Sequence, residues 1–434
     1  MDTLLLQHIC PPQESEDNSI QICIELGQYG NIDINNQSHL SNRIVQGLIN
    51  GLEKGKVIHT KKLESAIYNL QGLGGVKAYG IMRPGKNQGE SDITIHLEKA
   101  KRNNYVLYSE NYGSKNSGRY RYGFMADWYG LSSMGDHLSL NMLLSNKEQH
   151  NYGIRYEILA GHSGTKLGLG LGRTDYELGS HLSSLGATGL ANTYSFFGST
   201  PLWQTSNSSF GFNYGFDYQD MKDEMRSVEY LIKKHSHIFH LGINGFQRQK
   251  KTVTSFDLTY YTGILTGDES KISGIPLEIA PEGAYNKLLL NATVVQTFNS
   301  YWDLMFRFQG QKAGTNLDSS EKIYLGGANG VRAYPQGEGS GDEGYQTTAE
   351  VRYHTKVPGL TFSTYFDIGH VKYTHDTTIS GGTTLKGWGV GVSWIRENDF
   401  FARIDYARRI GLAIDSTEDA RSKQRIWFTI GKIW

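Results

Sequence analysis

The chain has 434 residues, and 43 Lys plus Arg against 43 Asp plus Glu give a formal net charge of zero, which removes the broad cationic footprint of a nucleic-acid binder. Mean hydropathy is −0.45 and no run of about eighteen apolar residues occurs, so membrane-spanning helices are excluded, whereas a membrane β-barrel, apolar on one face of each strand, is not. With 52 Gly against 8 Pro, and 27 Tyr leading an aromatic fraction of 12%, the composition is one of strands and tight turns.

At the start, MDTLLLQHICPPQ has no basic n-region and only three consecutive leucines, short of the apolar core of a secretory signal. Cys10 and Cys23 are too few for a disulfide scaffold or a four-cysteine zinc site, although they fall on neighbouring expected strands and a single bridge is open to them.

From Gly27 to about Lys101 the pattern is mixed. Tyr29 to Ile34 alternates like a strand. Leu40, Ile44, Leu48 and Leu52 then lay one apolar stripe along a helix, with Ser38 as the expected N-cap. A second helix is expected after Thr60, its expected cap, carrying Leu63, Ala66, Ile67 and Leu70 on one face and ending at Gly72. Strands Val76 to Met82 and Ile93 to Leu97 follow, separated by the turn-rich RPGKNQG. This strand-helix-helix-strand-strand unit closes one modest core and leaves a sheet edge exposed. Within it, Gly80-Ile-Met-Arg-Pro-Gly85-Lys86 comes within one residue of a phosphate-binding P-loop. Asn87 stands where the magnesium-binding hydroxyl belongs, however, and a strand follows where the phosphate cradle needs a helix N-terminus, so a hairpin turn is the better account.

Beyond Tyr105 the period changes to two and stays there. Tyr120, Tyr122, Phe124, Ala126 and Trp128 face one way, and Arg119, Arg121, Gly123 and Asp127 the other. Roughly sixteen strands are predicted on this pattern, at 105–112, 119–129, 137–146, 150–161, 165–178, 189–200, 207–220, 235–247, 252–263, 284–298, 301–312, 344–355, 359–371, 384–396, 399–410 and 423–434. Every second connection is short. The intervening ones are mostly longer, among them 221–234, 264–283 and 313–343, an asymmetry shared with transmembrane barrels. A soluble sandwich would also alternate. The polar face, however, carries Asp303, Arg307, Glu350, Arg352, Asp367, Arg403 and Asp405, charges that suit a hydrated lumen, while the Tyr and Trp excess suits interfacial girdles.

Residues 325 to 345 read LGGANGVRAYPQGEGSGDEGY: paired glycines Gly326 and Gly327, the tetrad Val331, Arg332, Ala333, Tyr334, and a downstream Ser-Gly341-Asp. Two strands on comes Phe366-Asp367-Ile-Gly369. With LGGV and PGKNQGESDITI near residues 73 to 95, and NYGSKNSGRYRYG at 111 to 123, nearly the whole chain resembles the outer-membrane transporters of two-partner secretion, the haemolysin and haemagglutinin secretors. The resemblance implies a mainly β fold: a 16-stranded antiparallel transmembrane β-barrel at 105–434, preceded by one α+β polypeptide-transport-associated (POTRA) domain at 28–100. Residues 1–27 then correspond to the last two strands of a first POTRA domain, and the chain as given lacks an export signal. Ala333 departs from the family's Val-Arg-Gly-Tyr, and an alanine held at positive φ would be strained.

The implied activity is export of an unfolded partner exoprotein, recognised in the periplasm through POTRA, across the outer membrane of a diderm bacterium without nucleotide. Outer-membrane lipid, the barrel-assembly machinery for insertion and a monomeric state belong to the same implication, with no nucleic acid, no cofactor and no enzymatic activity. An insertase of the same superfamily and a general diffusion porin are the alternatives. No Gly-x-Ser-x-Gly elbow or His-Glu-x-x-His occurs. His235, His237 and His240 invite a metal reading, but the first two share a face only in a regular strand, and interfacial or lumenal histidines are commoner. The loop 313–343 is long enough to fold back inside the barrel, where Arg332 would meet Asp367 in a two-bond fork; a solvated arginine in an outside loop is the alternative. Gly326, Gly327 and Gly341 would be its hinges.

Overall fold

Alternation of polar and apolar residues commits most of this chain to strands whose two faces meet different surroundings. A computed structural model describes residues 5–9, 23–177, 179, 184–267, 270–272, 275–277, 282–375, 381–411 and 419–434. Two short strands come first, β1 (Leu5–Ile9) and β2 (Cys23–Leu26), paired antiparallel with Ile9 opposite Cys23. Cys10, the other half of the expected bridge, lies outside the described residues.

The mixed unit follows as β3 (Gln28–Asn36), α1 (Asn42–Ile49), α2 (Thr60–Gln71), β4 (Val76–Pro84) and β5 (Glu90–Lys99). The sheet runs β3-β5-β4, with β5 central, parallel to β3 and antiparallel to β4. Ile93, Ile95 and Leu97 on one face of β5 are fully buried against Val45 of α1 and Leu70 of α2. The P-loop-like segment is the β4–β5 hairpin turn, closed by Gly85 N–H donating to the Glu90 carbonyl.

Both expected caps shift. Ser38 does not cap α1, because its hydroxyl donates to Asn36 Oδ1 at 2.6 Å while Asn36 Nδ2 donates to the Leu40 carbonyl, a local turn that postpones the helix. Ser41 caps instead, accepting from Ile44 N–H. Thr60 is the first residue of α2, and His59 occupies its N-cap position without a side-chain bond.

Sixteen strands close the barrel. The first half comprises β6 (Asn103–Glu110), β7 (Arg121–Tyr129), β8 (His137–Ser145), β9 (Gln149–Leu159), β10 (Lys166–Glu177), β11 (Ala187–Gln204), β12 (Ser208–Met225) and β13 (Tyr230–Gln249). β14 (Thr252–Gly267) pairs directly with β17 (Gly283–Thr297), and the small strands β15 (Ser270–Ile272) and β16 (Ile275–Leu277) form a hairpin between them. β18 (Trp302–Ala313) leads into the long loop, which holds β19 (Ile323–Tyr324) and β20 (Ser340–Gly341). β21 (Glu343–His354), β22 (Leu360–Lys372), β23 (Gly382–Arg396), β24 (Phe400–Arg409) and β25 (Gln424–Ile433) complete the wall, and β25 pairs with β6.

Two connections expected to be long are largely strand in their described residues. β12 and β13 run to Met225 and from Tyr230, so 221–234 shrinks to a four-residue turn, and β14 extends to Gly267. The alternation fades there because Asp220, Lys222 and Glu224, in phase with the outward Phe216, are polar: the hairpin continues past the height where lipid demands apolar side chains.

The outward face is apolar in strand after strand, with Leu169, Phe216, Leu241, Phe306, Phe362 and Ile404 all exposed. Several inward charges are paired: Arg121 with Glu110, His137 with Asp127, Arg352 with Asp303. The N-terminal unit is docked on the barrel turns. Ser65 Oγ of α2 bridges the backbone of Gln204, Lys166 Nζ donates to the Gly72 carbonyl, and Leu159 joins the unit's core.

Leu70 is 0% exposed, so Leu70→Ala is expected to destabilise the N-terminal unit by about 2–5 kcal/mol. Limited proteolysis should show faster cleavage within residues 28–100, with the heat-modifiable migration of the folded barrel unchanged.

Candidate functional site

The site is built around the loop between β18 and β21, residues 314–342, which lies inside the lumen. Its own apolar residues do the packing: Leu325, Val331, Ala333 and Tyr334 are each 2% exposed or less and form one cluster with Tyr365 and Val371 of β22, Leu385 of β23 and Ala407 of β24. A glycine-rich loop would otherwise stay solvated, so burial of these four residues accounts for its position against this wall.

At the tip, Arg332 is 5% exposed. Its Nε and Nη2 donate side-on to Asp367 Oδ2 and Oδ1 at 2.9 and 2.8 Å, and its backbone N–H donates to the same carboxylate at 3.2 Å. Nη1 donates to Glu350 Oε2 at 3.1 Å and reaches Asp405 Oδ1 at 3.5 Å. The guanidinium lies over the Tyr365 ring, 3.1 Å from its centroid. Trp427 Nε1, on the final strand, donates to the Arg332 carbonyl at 2.6 Å. Arg403 completes the cluster, donating to Glu350 at 3.1 Å and to Asp405 at 2.7 Å. Burial opposes the charge on Arg332, but the bonds and charge of Asp367 outweigh it and hold its pKa above the ordinary arginine value.

The cluster assembles because β23 carries glycine on its inward face. A Cβ at Gly389 would fall 2.4 Å from the Tyr365 hydroxyl, one at Gly391 2.5 Å from Asp405 Oδ1, and one at Gly387 2.5 Å from the Ala333 Cβ. Side chains of β22 and β24 therefore meet across β23, and the loop lies directly on it. Ala333 does not have a positive φ; its methyl fills the space left by Gly387, so the strain expected of alanine here does not arise.

The other singled-out residues have distinct places. Val331 and Tyr334 are core residues of the loop. Gly327 has φ +133°, whereas Gly326 and Gly341 serve close approach: a Cβ would meet the Pro335 carbonyl at 2.4 Å and the Lys372 carbonyl at 2.2 Å. Gly369 lets Leu325 lie on β22, while Phe366, 40% exposed, faces out. His235 and His240 sit beside Asp220 and Asp217, and His237 stacks near Phe216; no metal-binding group of three is present among the described residues.

A second set of contacts holds the loop nearer its base. Lys234 of β13 pairs with Asp318 at 2.9 Å, and Lys287 of β17 with Glu321 at 2.7 Å. Lys234 and Ser320 keep the Asp318 carboxyl below the usual range although burial pushes it up. Sequence reasoning placed Glu350, Arg403 and Asp405 on the inward face without gathering them, and did not single out Tyr365, Trp427, Lys234 or Lys287. The readable signal was in β23, where GWGVGVSW sets glycine at every second residue.

The sequence model of the haemolysin secretion/activation proteins ShlB/FhaC/HecB matches residues 89–394, more than two thirds of the chain. The chain belongs to this family. It is therefore an outer-membrane transporter of two-partner secretion, exporting a partner protein. The heme/hemopexin transporter protein HuxB of Haemophilus influenzae is 26% identical over 441 residues, covering 99% of this chain and 77% of that protein. Among solved structures, CdiB from Escherichia coli superposes with a TM-score of 0.78 at 14% identity, over 99% of this chain and 80% of that one. CdiB from Acinetobacter baumannii gives 0.76 at 18%, over 99% and 78%. Both support the fold.

The contact of Ala333 with Gly387 gives a paired test. Gly387→Ala is expected to displace the loop and raise single-channel conductance in planar bilayers severalfold, and Ala333→Gly in the same chain to return it toward the wild-type value.

Proposed function

We propose that the loop 314–342 is a resident gate of the export pore, held closed by Arg332 and released when the unfolded partner enters. What supports this reading is the clamp itself: one buried arginine ties the loop to β21, β22 and β24 through three carboxylates. Removing either side leaves buried charge unpaired, at a cost of about 3–5 kcal/mol. The loop is consequently stable when closed, yet an incoming chain offering its own charges and amides can compensate the open state.

Residues 28–100 act on this reading as a POTRA domain, with 1–27 as the remnant of a preceding one. The edges of its sheet, β3 and β4, offer the partner a strand to pair with in the periplasm. The barrel is inserted by the assembly machinery and works as a monomer, without cofactor, nucleotide or bond-breaking chemistry. Folding of the exported chain outside supplies direction. The insertase and the diffusion porin are disfavoured by the family match and by a lumen occupied by a bonded loop.

Arg332→Ala and a deletion of residues 314–342 should each release the gate and raise single-channel conductance in planar bilayers severalfold, while outer-membrane level and heat-modifiability stay unchanged. Wild-type conductance of both variants would refute the gate.

A further inference from the structure

Near the outer ends of β22, β23 and β24 their outward faces carry the basic side chains His370, Lys386 and Arg408. Each stands near the top of its strand, ten residues from Leu360, ten from Arg396 and eight from Phe400, the strand ends at the periplasmic turns. At about 3.3 Å per residue and a tilt of about 40°, that is roughly 20–25 Å of height, the extent of the lipid-facing apolar band. Register makes the three neighbours. Lys386 lies opposite Ile368, two residues below His370, and Arg408 lies opposite Trp388, two residues from Lys386.

Three features set this group apart. All three residues are exposed, and among the described residues neither Lys386 nor Arg408 has a side-chain bonding partner. His370 shares Nδ1 with Thr384 Oγ1 at 2.8 Å. Next, the outward positions of these strands hold no carboxylate, whereas Lys222 and Arg173, high on other strands, are paired with Glu224 and Asp175. Finally, Trp388 and Tyr406, 6.5 Å apart edge to face, lie directly beneath, above the exposed Val390 and Ile404. Lys386 and Arg408, without a carboxylate partner among the described residues, over an aromatic pair and an apolar wall match a molecule with an anionic head and acyl chains.

We propose that His370, Lys386 and Arg408 bind the phosphate of a phosphorylated glycolipid in the outer leaflet, its acyl chains lying along Val390 and Ile404. Arg408 supplies the fork for phosphate oxygens and Lys386 a second charge. The inward positions of the same three strands carry Asp367, Gly387 and Asp405, so the lipid braces from outside the wall that holds the loop.

The test uses the full chain in detergent with bisphosphorylated lipid A, dephosphorylated lipid A and phosphatidylglycerol as probes, bound lipid being counted by native mass spectrometry. Wild-type protein is expected to retain bisphosphorylated lipid A at least about tenfold better than dephosphorylated lipid A, and K386Q/R408Q to lose that preference. K312Q, which alters a cation paired with Glu343, should retain it. Heat-modifiable migration verifies the barrel of each variant, and R408Q alone serves if the double variant does not assemble. Equal retention by wild type and K386Q/R408Q, equal binding of the dephosphorylated lipid, or preference for phosphatidylglycerol would each overturn the proposal.

Discussion

A guanidinium removed from water is costly unless every direction of its charge is answered, and the arrangement around Arg332 meets that requirement. Asp367 answers the fork side-on, Glu350 takes the remaining edge, and Tyr365 covers the face. Glu350, Asp367 and Asp405 surround Arg332 and Arg403, with Arg307 in electrostatic reach of the same group, so the carboxylates need Arg332 as much as it needs them. Lysine offers no second parallel bond and no flat face for the ring. The backbone is caught as well, between Asp367 and Trp427, which fixes the loop in orientation as well as position.

The clamp depends on an absence of side chains. With glycine at 387, 389 and 391, β23 becomes a recess through which residues of β22 and β24 reach one another. Residues that alternate in an ordinary strand to fill space here alternate to vacate it, while Trp388, Val390 and Val392 on the other face keep the lipid side covered. The two faces of one strand thus serve the loop and the bilayer independently, a division that the period of two makes available.

How much could be read beforehand follows from the range of each interaction. Strand positions and the in-out phase were legible because alternation is local, and they fall within a few residues of the observed elements. Where Asp220, Lys222 and Glu224 interrupt the outward stripe, the strands were cut short. The N-cap of α1 was misplaced by three residues because Asn36, outside the helix, competes for Ser38. The pairing of Arg332 with Asp367 is expected from the loop's length and the inward phase of Asp367, both residues lying in motifs that the family resemblance picks out. Glu350 and Asp405 had the correct face, but their convergence depends on inter-strand register and on the recess in β23, neither of which sequence spacing fixes.

Every group that receives the tip of the loop comes later in the chain: Glu350, Asp367, Gly387, Asp405 and Trp427 all follow Arg332. The tip has no destination until β21 to β25 have found their neighbours, the last of these bonding β6 to complete the ring. Insertion of the tip therefore follows the pairing of β21 to β25, and a chain in which those strands were mispaired would be left with its arginine in water. A seated plug thereby reports that this side of the cylinder is in register.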